Sequence, residues 1–314
     1  MAMSIEEQRE ELFCDYFERW IKDYKEGVVR HVTLIKYHMA AKRLREIAPN
    51  LRMKDLTRNS YQNILNEYAL THEKTTTSDF HHQLRASLVD AFDDGVLERD
   101  ISHRAVIKGK LPTINKCVKY IGKKDLEKLL EVLELGSEIN WDWFIMLVAK
   151  TGLRFEEALA LTPEDFDFNN LRLHINKAFD YKLTNTFCKT KNESSVRTIL
   201  LDFRTAMQFE NLIKGMNVKE RIFKLGKGEK IYSSTANDRL RKLCLKAGIP
   251  VITIHGLRHT HASVLMYEGV TLSTISRRLG HSSMATTQNV YLHMIRELEC
   301  KDESKIMASM MELR

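Results

Sequence analysis

Two arginines in apolar company pose the first chemical question. Arg154 lies in TGLRFEEALAL and Arg258 in HGLRHTHAS, each among core-forming residues. A buried, unpaired guanidinium is costly, so each must meet an anion. Guanidinium forks grip phosphate oxygens two at a time and stay charged at any working pH, which suits a metal-free site where charge grows on a phosphodiester. Glu157, three residues beyond Arg154, shares its face on a helix and could hold the guanidinium. Histidines crowd the second arginine at 255, 259 and 261; His281 follows in LGHSS, Tyr291 comes ten residues later, and KTKNESSVRTI carries Lys189 and Lys191 between the arginines. Taken singly, each has a plainer explanation: an ion pair on a solvated face, a half-buried tyrosine, a lysine-rich turn. The i,i+4 spacing of His255 and His259 would suit zinc, but the glutamate of HExxH is missing and no further ligand has metal-like spacing. No metal is expected, and His259, His261 and His293 read as packing or capping residues.

Together and in order the motifs are far more specific. TGLRxxEAL, a lysine ahead of SxRTI, HGLRHT, LGHSS and a tyrosine ten residues on resemble the tyrosine recombinases found as phage and mobile-element integrases. The resemblance covers nearly the whole chain. It implies that Arg154 and Arg258 clamp the scissile phosphate, that His255 and His281 are the two box histidines, that Glu157 is the supporting acidic residue and that Tyr291 is the nucleophile. It further implies a 3′-phosphotyrosine link and a free 5′-hydroxyl that later reverses the reaction on another strand. The bond energy is conserved, so no cofactor and no ATP are expected. A phenol of ordinary pKa near ~10 needs help to lose its proton at neutral pH, and His255 is the candidate base. His281 is the candidate donor to a phosphate oxygen. The family's general acid is a lysine six residues before the arginine of SxRTI, which selects Lys191 over Lys189. Implied partners are double-stranded DNA recombination sites, a homotetramer on DNA and a directionality or host accessory factor.

The elements that must position these groups divide at a linker. Residues 8–107 read as a helical DNA-binding, core-binding domain of about four helices: one carrying Leu12, Tyr16, Phe17 and Trp20 at spacings of three and four, then Val32–Ile47, Arg58–Ala69 after Thr57, and Thr77–Asp94 ending at Gly95. Residues 108–117 are a linker with glycine, proline and lysines and no periodicity. A catalytic domain spans 118–291: a helix near Asp125, a helix Trp141–Leu161, a small antiparallel sheet from Phe166–Phe168, Leu171–Tyr181 and Val196–Leu201, and helices again from Ser234. The fold class expected is mainly α with a small antiparallel β-sheet. The tail 292–314 places Ile306, Met310 and Leu313 at helical spacing; the resemblance implies a helix that packs on a neighbouring protomer, and packing on its own domain fits as well.

Bulk properties agree without deciding. The 314 residues suffice for two cores. Five scattered cysteines without a CxxC pair suggest neither a disulfide framework nor a zinc ribbon, and a cytoplasmic protein is expected. The acidic start lacks a secretion signal and no apolar run approaches a membrane span. Many such integrases begin with an arm-binding domain, for which there is no room before residue 8, so either the simple type or a trimmed chain is expected. The net charge of +7 falls in the C-terminal two thirds: residues 1–110 hold 18 basic and 18 acidic side chains, leaving 31 and 24 for residues 111–314. Basic residues at Lys108, Lys110, Lys116 and Lys119 could track phosphates, and Thr33, Lys36 and Arg85 lie on expected helices, with nothing to show which read bases. The leading function is site-specific integration and excision of a mobile element. A cellular recombinase resolving chromosome dimers and a type IB topoisomerase are the alternatives, and a non-catalytic DNA-binding regulator is a third class.

Overall fold

A computed structural model of the chain describes residues 3–111, 118–190, 192–225, 231–285 and 287–288. The chain divides into two compact units, residues 1–116 and 117–314, each with its own hydrophobic core.

Among the described residues the first unit is built of helices: α1 (Ile5–Glu10), α2 (Phe13–Tyr24), α3 (His31–Ile47), α4 (Arg58–Ala69) and α5 (Lys74–Asp93). The apolar stripe of α2 buries Phe13, Phe17 and Trp20 against Leu44 of α3, Tyr61 and Leu65 of α4, and Leu84 and Leu88 of α5. Thr57 caps α4 by accepting from the Ser60 amide, and Gly95, at φ +76°, turns the chain after α5. The short α1 was not expected. It buries no residue, so no apolar period betrays it; what forms it is a capping box in which Ser4 accepts from the Glu7 amide and Glu7 accepts from that of Ser4.

The second unit is built on α7 (Trp141–Thr151), which follows α6 (Lys123–Glu131) and is sealed at Phe144, Ile145, Leu147 and Val148. Asn140 caps its first turn, and Gly152 ends it in the left-handed region, its amide donating to the Val148 carbonyl. The expected single helix Trp141–Leu161 is therefore two, with α8 (Phe155–Leu159) starting afresh after Arg154. Strands β1 (Phe166–Asp167), β2 (Arg172–Ile175) and β5 (Arg197–Leu200) form an antiparallel sheet in the order β1-β2-β5; β3 (Lys177–Asp180) and β4 (Thr186–Lys189) form a separate hairpin. The expected strand Leu171–Tyr181 is thus divided between two sheets. Strand β4 was not foreseen, because all four of its residues are exposed and leave no burial alternation. Helix α9 (Phe203–Leu212), also unforeseen, begins at an Asp202 cap, and α10 (Ser233–Lys246), α11 (Ile254–Tyr267) and α12 (Leu272–Leu279) follow among the described residues. The mainly α fold with a small antiparallel sheet is as expected. The segment 112–117 of the expected linker, Lys191, Tyr291, His293 and the tail 292–314 lie outside the described residues.

Candidate active site

The carboxyl end of α12 organises the site. A helix leaves its last carbonyls unpaired and its dipole makes that end negative. Here three successive carbonyls each accept from a different guanidinium: that of Arg278 from Arg197 Nε at 2.7 Å, that of Leu279 from Arg258 Nη2 at 2.7 Å, and that of Gly280 from Arg154 Nη2 at 2.9 Å. Gly280, at φ +68°, turns the chain so that His281 follows directly. A Cβ there would lie 2.9 Å from Arg197 Nη1 and 3.0 Å from the Ser194 carbonyl, so only glycine leaves room.

Each arginine has further anchors. Arg258, on α11 and 3% exposed, donates through Nη1 to the Gly152 carbonyl at 2.7 Å. The left-handed glycine of the TGLR box thus presents its carbonyl to the arginine of the HGLR box; a Cβ on Gly152 would sit 2.8 Å from ring and methyl carbons of His261 and Leu279. Arg154, half-buried, donates through Nη1 to Glu157 Oε1 at 2.7 Å and to Ser195 Oγ at 3.3 Å. Glu157 also accepts the Arg154 backbone amide on Oε2 at 3.0 Å, so the expected pair holds, at a helix start rather than along a helix face. The same carboxylate receives Arg197 Nη1 on Oε1 at 3.2 Å and Nη2 on Oε2 at 2.9 Å. Burial pushes the Glu157 carboxyl up, but Arg197 and Arg154 together outweigh it and hold its pKa below the usual range.

The histidines near these charges are neutral at pH 7. Burial, then repulsion from Arg258 and Arg154, lowers His281 to about 4 and lowers His255 as well. His281 Nδ1 meets Thr287 Oγ1 at 2.7 Å, and the His255 ring stands edge-on to that of His259, 4.7 Å between centroids. His255 keeps a solvent-facing edge. His261 is different in kind: its Nδ1 donates to the Ala149 carbonyl at 3.1 Å and its Nε2 accepts from Arg278 Nε at 3.0 Å, and burial brings its pKa to about 3. Among the described residues no three His, Cys, Asp or Glu side chains gather as metal ligands.

Of the expected site residues, Arg154, Glu157, His255, Arg258 and His281 come together. Lys189 ends β4, exposed, one residue before the buried Thr190; Lys191 and Tyr291 lie outside the described residues. Arg197 and Arg278 were not singled out from the sequence. Arg197 was in view within SSVRTI as a landmark only, whereas Arg278, in a run of two arginines before LGH, looks like surface charge until its side chain is seen donating to the Leu200 carbonyl and to His261.

Residues 119–297 match the model of the phage integrase family, and the chain belongs to that family. It is 29% identical over 232 residues to a XerC-like tyrosine recombinase of Caldanaerobacter subterraneus subsp. tengcongensis, a match covering 65% of this chain and 59% of that protein. It is 25% identical over 307 residues to the integrase of Staphylococcus phage L54a, covering 81% of this chain and 84% of that one. Its fold resembles that of the Tn1549 transposon integrase solved in complex with a circular intermediate DNA, with a TM-score of 0.73 at 18% identity over 88% of this chain and 94% of that chain. The chain thus spans less than two thirds of the XerC-like protein, and it matches the phage integrase over most of its length.

Proposed function

We propose that this chain is a site-specific DNA recombinase that cleaves and rejoins strands through Tyr291, serving the integration and excision of a mobile element. The observation that carries the reading is the gathering of Arg154, Arg258 and His281 at one helix end, with His255 close enough to feel both guanidinium charges. In this reading the two arginines grip the scissile phosphate as charge develops on its non-bridging oxygens. His255, neutral at working pH, takes the Tyr291 phenolic proton as the phenolate attacks phosphorus. His281 donates to a non-bridging oxygen, and Lys191 protonates the departing 5′-oxygen. Glu157 steadies Arg154. The phosphotyrosine conserves the bond for attack by a 5′-hydroxyl of a partner strand, so the cycle draws on no metal and no ATP. The helical first unit serves as the core-binding domain, residues 108–117 as the linker, residues 118–291 as the catalytic domain, and the tail 292–314 as a segment that packs on a neighbouring protomer in a tetramer on DNA. A directionality or host factor, and a cytoplasmic, nucleoid-associated location, belong to the same reading; no helix among the described residues is long and apolar enough to cross a membrane.

A nicked suicide duplex carrying the element's end tests it. Wild type is expected to form a covalent DNA adduct that Tyr291→Phe abolishes; an adduct surviving that change contradicts the mechanism. Relaxation of a supercoiled plasmid lacking any recombination site would favour topoisomerase action instead.

A further inference from the structure

We infer that Arg197 is a positioning residue of this site: by fixing the Glu157 carboxylate on one side and the Arg278 carbonyl on the other, it sets Arg154 and His281 to face one phosphate together. The inference rests on the recombinase reading above and concerns how that site is held.

All three side-chain nitrogens of Arg197 are engaged inward, which suits it to hold its neighbours. Nε donates to the Arg278 carbonyl at 2.7 Å, Nη1 to the Ser195 carbonyl at 2.9 Å and to Glu157 Oε1 at 3.2 Å, and Nη2 to Glu157 Oε2 at 2.9 Å. One planar group therefore ties β5, α8 and α12 to each other.

The consequence for Arg154 follows from how Glu157 is shared. Oε1 receives Nη1 of both arginines, and Oε2 receives the Arg154 backbone amide together with Arg197 Nη2. Arg197 thus donates to both carboxylate oxygens, leaving Arg154 able to send Nη2 to the Gly280 carbonyl while its side chain stays 26% exposed. With Arg197 gone, the whole carboxylate would draw on Arg154. Its guanidinium would turn to chelate Glu157, leave Gly280 and offer a phosphate a largely neutralised group. At the same time the α12 end would lose one of its three clasps, and His281 begins one residue beyond that end. A lysine cannot replace the fork, since a single ammonium cannot span two carboxylate oxygens and the Arg278 carbonyl at once. The space Arg197 occupies exists only because residue 280 has no Cβ.

The test uses the full chain and the nicked suicide duplex, with adduct formation followed in a single turnover and DNA affinity measured separately. Arg197→Lys and Arg197→Met are expected to slow adduct formation by about 100-fold, the scale of an ångström-sized misplacement, with the DNA dissociation constant within about threefold of wild type. Glu157→Gln combined with Arg197→Met is expected to be no slower than the slower single variant, because both act through Arg154. Arg197→Lys cleaving within about threefold of wild type, or a double variant that loses the product of the single losses, would overturn the inference. The Lys variant carries the test if the Met variant does not fold. A second readout needs no cleavage: the Arg154 Nε–H signal in nitrogen-15 spectra, assigned by its loss in Arg154→Lys, should shift or broaden in Arg197→Lys. An unchanged signal counts against the positioning role. A wild type that forms no adduct would sink the recombinase reading, with this spectrum still judging Arg197.

Discussion

Arg258 is almost sealed from water, yet two of its nitrogens are spent on backbone carbonyls of two different boxes, Gly152 and Leu279. A lysine there would keep the charge and lose the two-pronged hold, so Arg258→Lys should slow single-turnover cleavage by about 10²–10³-fold while leaving DNA affinity nearly unchanged. An equal loss in affinity would mean that the guanidinium only binds. His261 makes the opposite kind of residue, one whose neutrality is structural. Its folded pKa of about 3 lies below the ordinary 6.5, so below pH 6.5 the unfolded chain takes up a proton that the folded chain refuses. Stability supplied by neutral His261 is complete above pH 6.5 and falls as pH drops toward 3, by up to about 1.4 kcal/mol per pH unit. His81 in the first unit, lowered to about 4 by burial and bonded to the Tyr61 hydroxyl, adds to the same slope. Urea midpoints at pH 7 and pH 5 should differ accordingly, and His261→Asn should flatten the difference. A wild-type midpoint independent of pH would contradict this account.

At the scale of elements, the positive-φ glycines divide into two kinds. Gly95 has nothing within 4 Å of where a Cβ would stand, whereas Gly280 and Gly152 are hemmed in by Arg197, His261 and Leu279. Gly95→Ala should therefore cost only backbone strain, about 1–2 kcal/mol, and leave cleavage intact. Gly280→Ala should cost more than that in thermal stability and also slow cleavage, because it displaces Arg197. Equal losses for the two variants would show that packing around Gly280 is slack. The same elements show what was legible in the sequence. The apolar stripes of α2, α3 and α4 and the sealed run of α7 announce themselves by spacing, and the boxes around Arg154, Arg258 and His281 by residue type. What was not legible depends on contacts remote in sequence: Gly152 looks like any helix residue until its left-handed turn breaks α7 from α8. Strand β4 has no buried face. Arg278 acquires meaning only through a histidine seventeen residues earlier and a strand end seventy-eight residues away.

At the scale of the molecule, net positive charge is confined to residues 111–314, while residues 1–110 balance at 18 against 18. If the whole chain neutralises six to ten phosphates, its DNA affinity should fall about 10³–10⁵-fold between 50 and 200 mM salt, measurable by fluorescence anisotropy. A shallow salt dependence would contradict phosphate tracking by the basic residues. The account as a whole stands on a covalent bond between DNA and one tyrosine. The most direct measurement traps the wild-type adduct on the nicked duplex, digests protein and DNA, and reads the cross-linked peptide by mass spectrometry. The account predicts a 3′-nucleotide mass on Tyr291 in the peptide containing NVYLHM; a nucleotide mass on any other residue would contradict it.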